Sequence, residues 1–93
     1  MQTAPLDFRL ATRADQAQLV ALMRDFYVED QIAFEQARVL RGVEALLADP
    51  RHGEALLFLD EQRHIGGYAV IAMGCSLEQG GEFALLAELY LTP

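Results

Sequence analysis

At 93 residues the chain has room for one small domain. A hydrophobic fraction of 53% with 23% charged residues excludes a disordered or low-complexity chain. Seven basic residues, all arginine, stand against fourteen acids for a net charge of −7, a balance that opposes binding to nucleic acid or an anionic membrane surface.

No apolar run approaches the roughly 20 residues that a membrane helix needs. Met1-Gln2-Thr3-Ala4-Pro5 has neither a basic region nor an apolar core, so no secretory leader is expected and a cytoplasmic location follows. The acidic surface is compatible with a cationic substrate, although solubility alone accounts for it. A single cysteine, Cys75, excludes an internal disulfide and a multi-cysteine zinc site. Its place at the end of an apolar run predicts a small core or turn residue.

In Leu6 to Ala11, Leu6, Phe8 and Leu10 alternate with Asp7, Arg9 and Ala11, which predicts a strand with one buried face. Thr12-Arg13-Ala14-Asp15 has the spacing of a helix start, with Thr12 as acceptor for a backbone N–H and Asp15 at the positive helix end. Leu19, Leu22, Met23 and Phe26 then recur at i, i+3, i+4 and i+7, one face of a helix ending near Val28. Glu29-Asp30-Gln31 breaks the pattern. A second helix starts around Phe34 or Glu35, with Val39, Leu40, Val43, Leu46 and Leu47 as its apolar stripe and Arg38, Arg41 and Glu44 toward water. Asp49-Pro50 ends it. Gly42 in its interior costs up to about 1 kcal/mol relative to alanine, so this helix depends on packing.

Beyond Pro50 the pattern turns to strands. Ala55 to Leu59 is short and apolar, as for a strand covered on both faces. Asp60 to His64 is a polar reversal. Ile65 to Met73 is the next strand, and Gly66-Gly67 near its start suggests a bulge or a close backbone approach. Gly74 to Gly81 reads as a turn region, and Glu82 to Leu91 as the last strand, closed by Pro93. Short polar connections favour an antiparallel meander.

The order β-α-α-β-β-β, with Phe-Arg-Leu-Ala-Thr-Arg-Ala-Asp at residues 8–15, Leu-Leu-Ala-Asp-Pro at 46–50, Ile-Gly-Gly-Tyr-Ala-Val at 65–70 and Glu-Leu-Tyr-Leu-Thr-Pro at 88–93, resembles the N-terminal half of the GNAT N-acetyltransferases. The resemblance implies an α+β fold: a mainly antiparallel sheet packed on two helices, one partial domain over residues 1–93 that ends before the loop holding the pyrophosphate of acetyl-CoA. It implies transfer of acetyl from acetyl-CoA to a primary amine (a small amine, an amino acid or a lysine side chain), with this chain incomplete and inactive alone. It also implies that backbone groups of Leu89, Tyr90 and Leu91 hold the pantetheine arm.

A carboxylate in an otherwise apolar strand needs a reason, which makes Glu88 the candidate catalytic base, acting through a water. Alternation equally allows Glu88, Tyr90 and Thr92 to face solvent on one side, with Leu89 and Leu91 in the core. The resemblance also implies that the junction of the helices borders the acceptor-amine pocket, which makes Tyr27, Glu29 and Asp30 there, and Glu78 in the turn before the last strand, candidate acceptor-binding residues; each also reads as a solvated loop residue. His52 and His64 sit in polar loops without a partner spaced for a metal, so they read as surface residues. Neither Gly66-Gly67 nor Gly80-Gly81 opens a helix, so neither cradles a phosphate. The rival reading is a non-catalytic α+β module. Its last strand is an apolar edge with unpaired backbone groups, which predicts a homodimer or larger assembly through that edge.

Overall fold

A computed structural model describes residues 7–78 and 80–93. Its elements are β1 (Asp7–Leu10), a 3-10 turn (Arg13–Asp15), α1 (Gln16–Glu29), α2 (Gln36–Ala48), β2 (Gly53–Leu59), β3 (Ile65–Ser76) and β4 (Gly81–Leu91). The strands form one antiparallel sheet in the order β1-β2-β3-β4. This is the expected α+β meander on two helices. The predicted leader-free stretch 1–5 and Leu6 lie outside the described residues.

At the start of α1, the Asp15 carboxylate accepts from the Thr12 backbone N–H at 2.8 Å and pairs with the Arg9 guanidinium through two 2.8 Å contacts. Thr12 and Asp15 thus form the reciprocal cap that the spacing predicts, and the Thr12 hydroxyl also donates to Asp15 Oδ2 at 3.2 Å. Arg9 holds the Asp15 carboxyl well below the usual carboxylate range and ties β1 to α1. Leu19, Leu22 and Met23 are buried as the spacing required, with Val20 beside them; from α2, Val43 joins the same core. The two helices cover one sheet face, contributing against Ala55, Leu57, Tyr68 and Tyr90. Among the described residues no helix is long and apolar enough to cross a membrane.

Several expectations are corrected by this one-sided covering. Phe8 and Leu10 of β1 are 59% and 54% exposed, because they pair with Phe58 and Leu56 on the sheet face away from both helices. For the same reason β2 is covered on one face only: Ala55, Leu57 and Leu59 are buried while Leu56 and Phe58 are half-buried. Cys75 is an exposed strand residue, neither core nor turn, because β3 runs on to Ser76 and shortens the expected turn at 74–81. Leu89 and Leu91 also point to the uncovered face and are 50% and 55% exposed.

The ladder is interrupted twice. Opposite Phe58/Leu59 the register skips Gly66, the expected bulge at the glycine pair. Opposite Val70/Ile71 it skips Ala87, so Glu88 pairs with Val70 but Leu86 with Ile71. A side chain at Gly67 would begin 2.3 Å from the Tyr90 carbonyl oxygen, whereas one at Gly42 would meet nothing within 4 Å.

Gly67→Ala is therefore expected to cost about 1–3 kcal/mol through overpacking against backbone, a fall of several degrees in Tm. Gly42→Ala is expected to raise stability by about 0.5–1 kcal/mol through helix propensity alone. Thermal melts of both variants check the pair; a neutral Gly67→Ala would mean that β3 and β4 do not approach this closely.

Candidate active site

Glu88 stands on the helix-covered face of β4, half-buried, beside the extra residue Ala87. Its two carboxylate oxygens are each held by a phenol. Tyr27, from the last turn of α1, donates to Oε2 at 2.7 Å. Tyr68, on β3, donates to Oε1 at 2.6 Å. The third tyrosine, Tyr90, donates to Glu29 Oε2 at the C-terminal end of α1. Phe26 packs among these rings, with centroids 5.6 Å from Tyr27, 6.4 Å from Tyr68 and 5.5 Å from Tyr90. The chain contains three tyrosines in all, and each donates to a site carboxylate.

Burial, and then the bond to Glu88, pushes the Tyr27 hydroxyl up to about 12. The same causes push Tyr68 further up. For Tyr90 the bond to Glu29 comes first, with burial behind it, and the value is again about 12. All three are thus neutral donors at physiological pH.

A cavity of about 390 Å³ opens beside Glu88 and Tyr27. Its apolar walls are Met23, Val39, Val43, Leu46 and Val70; Glu35 and Arg38, paired at 3.2 Å, also line it, and Gly42 opens it along α2.

The backbone of β4 is divided between its two sides. The Thr92 N–H donates to the Gly66 carbonyl at 2.8 Å. By antiparallel alternation the Tyr90 main chain then also faces β3, and the N–H and C=O groups of Leu89 and Leu91 face the open edge. Of the three residues expected to lend backbone to a cofactor, Leu89 and Leu91 thus present theirs to the edge, while the Tyr90 main chain faces β3 and its hydroxyl reaches Glu29.

The structure brings Glu88, Tyr27 and Glu29 together at one end of the sheet. Glu78 is not with them. It is exposed in the β3–β4 turn beyond Ser76, which itself lies six residues along β3 from Val70, the partner of Glu88, or about 20 Å at the rise of a strand. Asp30 caps the end of α1 through its backbone N–H to the Phe26 carbonyl at 3.0 Å. Tyr68 escaped the sequence reading. A hydroxyl beside the apolar run Ala69-Val70-Ile71-Ala72 of β3 was the available signal. His52 and His64 are exposed, and the described residues contain no cluster of potential metal ligands.

The sequence matches no protein-family model and no curated protein. Solved structures do match. An integron cassette protein from the mobile metagenome of Cole Harbour Salt Marsh aligns at 31% identity and a TM-score of 0.84, over 92% of this chain and 56% of that one. A putative acetyltransferase from Arthrobacter sp. FB24 aligns at 27% identity and 0.75, over 100% of this chain and 58% of that one. A predicted acetyltransferase from Clostridium acetobutylicum, solved with acetyl-CoA, aligns at 18% and 0.77, over 96% of this chain and 61% of that one. The chain has the GNAT acetyltransferase fold and spans between 56% and 61% of the length of these structures.

An unfolded tyrosine releases its proton near pH 10. The raised folded values mean that the stability these bonds contribute is intact below about pH 10 and is lost as pH rises toward 12. Tyrosinate absorbance is expected to stay flat through pH 10 and to rise only as pH approaches 12. A tyrosine titrating reversibly near 10 in the folded chain would mean that one of these donors is free.

Proposed function

We propose that this chain forms the acceptor-amine side of a GNAT-type N-acetyltransferase, which moves acetyl from acetyl-CoA to a primary amine. The single observation that carries the reading is the adjacency, across one residue, of a tyrosine-held carboxylate at Glu88 and free edge backbone at Leu89 and Leu91. Those edge groups suit an extended pantetheine arm, which pairs as an added strand does. An N–H there is also a donor for the oxygen that becomes negative when an amine adds to a thioester carbonyl. Glu88 takes the proton the amine nitrogen loses, through a water, as the N–C bond forms and the C–S bond breaks with the sulfur leaving as the coenzyme's thiolate. Tyr27 and Tyr68, staying neutral, keep the carboxylate oriented. Glu29 holds Tyr90 and so braces the end of β4, while Glu78 on the distant turn stays outside the proposed chemistry.

Acetyl-pantetheine, which carries the thioester arm without the nucleotide, tests this on the purified chain. Titration is expected to shift the amide NMR signals of Leu89 and Leu91 before those of β1. Shifts confined elsewhere, or none at millimolar ligand, would sink the proposal. With acetyl-CoA and an amine panel this 93-residue chain is expected to give no turnover, because its described residues offer no helix N-terminus after β4 to anchor a pyrophosphate. Measurable transfer would refute that part.

The open edge of β4 also supports self-association of the chain, as unpaired strand edges recruit partners. Light scattering at tens of micromolar is expected to report a dimer or larger species; a monomer would count against it.

A further inference from the structure

Resting on that reading, we infer that the acceptor is an apolar monoamine: one ammonium group on an alkyl or arylalkyl tail, with Gly42 setting how long a tail is admitted. The cavity beside Glu88 is the basis. Each carboxylate oxygen has about two acceptor positions, and Tyr27 and Tyr68 occupy one on each. What remains can accept from one ammonium. The rest of the wall is Met23, Val39, Val43, Leu46 and Val70, without a second interior carboxylate among the described lining residues. A second ammonium placed against those apolar groups would be desolvated, and the one other carboxylate of the described lining, Glu35, is already engaged by Arg38. At the lining's outer part Glu35 is already paired with Arg38, so the cavity's charged groups, Glu88, Glu35 and Arg38, sum to one negative charge. One positive charge complements that sum.

Gly42 gives the cavity its reach along α2. It lies in mid-helix, where glycine is otherwise unfavourable, and a Cβ built there touches nothing within 4 Å. Gly42 is exposed and lines the cavity, so a larger side chain there narrows the opening without displacing the core. Helix propensity favours the change, so loss of ligand is separable from loss of fold.

The test compares n-hexylamine, ethylamine and hexane-1,6-diamine on the purified chain by NMR titration, following the amides of Gly42, Val43 and Glu88. Four additional buried methylenes predict that hexylamine binds at least about tenfold tighter than ethylamine. The diamine, equal in length but with a second charge, is expected to bind about tenfold more weakly than hexylamine. Gly42→Leu should abolish the preference for hexylamine over ethylamine with Tm unchanged or higher, and Gly42→Ala should reduce it partway. Glu88→Gln should weaken all three amines. Equal or tighter binding of the diamine would overturn the inference, as would a hexylamine preference that survives Gly42→Leu. The acetyl-pantetheine titration separates the two claims. Amine binding here without a thioester response at Leu89 and Leu91 would remove the transferase reading and leave the pocket. A thioester response with no preference for hexylamine would remove the acceptor assignment alone.

Discussion

The carboxylate of Glu88 is the point on which this structure turns. A charge on the covered face of a sheet costs several kcal/mol unless hydrogen bonds replace the lost water. Here two phenols replace it, one from α1 and one from β3. To bring Tyr27 and Tyr68 to opposite oxygens of one side chain, α1 must end over β4 and β3 must pair with β4 in one register. A slip of one residue would turn Glu88 to the uncovered face and leave both hydroxyls without their acceptor. The bulge at Ala87 belongs to the same constraint. On its C-terminal side Glu88 and Tyr90 face the helices; on its N-terminal side Leu86 pairs with Ile71 on the opposite face. One extra residue therefore changes which parity of the strand is covered.

This arrangement inverts the usual economy of a strand. In β4 the more hydrophobic set, Leu89 and Leu91, is left half-exposed, while a glutamate and a tyrosine go beneath the helices. Phe8 and Leu10 add to the same uncovered face. In α+β architectures the helices commonly lie on one face of an antiparallel sheet, which here leaves these apolar side chains on the other. The described residues supply helices to one side. The open face and the open edge of β4 adjoin at Leu89 and Leu91, so the region with the most unsatisfied apolar and backbone groups lies next to Glu88.

The order and type of every element were legible in the sequence because the periodicities are strong and the breaks are marked. The i, i+3, i+4, i+7 spacing from Leu19 to Phe26 can bury only one helical face, and Asp49-Pro50 can only end a helix. Gly66-Gly67 announced a bulge, and Gly67 indeed lies too close to the Tyr90 carbonyl for any side chain. The facing of β4 was not legible. Period-two alternation states that Glu88 and Tyr90 share a face but not which face is covered, and hydrophobicity alone chooses the leucines. The deciding groups, Tyr27 and Tyr68, lie 61 and 20 residues away in the chain. The bulge at Ala87 leaves no trace either, since alanine suits any strand position. Burial of β1 was misjudged for a related reason: alternation identifies an apolar face, but only the rest of the fold determines whether anything covers it.

The same residues that hold the fold leave the carboxylate usable. Tyr27 and Tyr68 titrate well above physiological pH, so they act as donors and do not compete with Glu88 for a proton. They take one acceptor position on each oxygen, and the remaining positions adjoin a cavity whose other carboxylate, Glu35, is paired with Arg38. A carboxylate restrained by two short bonds loses little freedom when a cation arrives, because its orientation has already been fixed by folding. Had Glu88 been paired with an arginine, its charge would have been spent within the protein. Held by neutral phenols it keeps that charge, which is what lets one side chain anchor a helix to the sheet and still receive an amine.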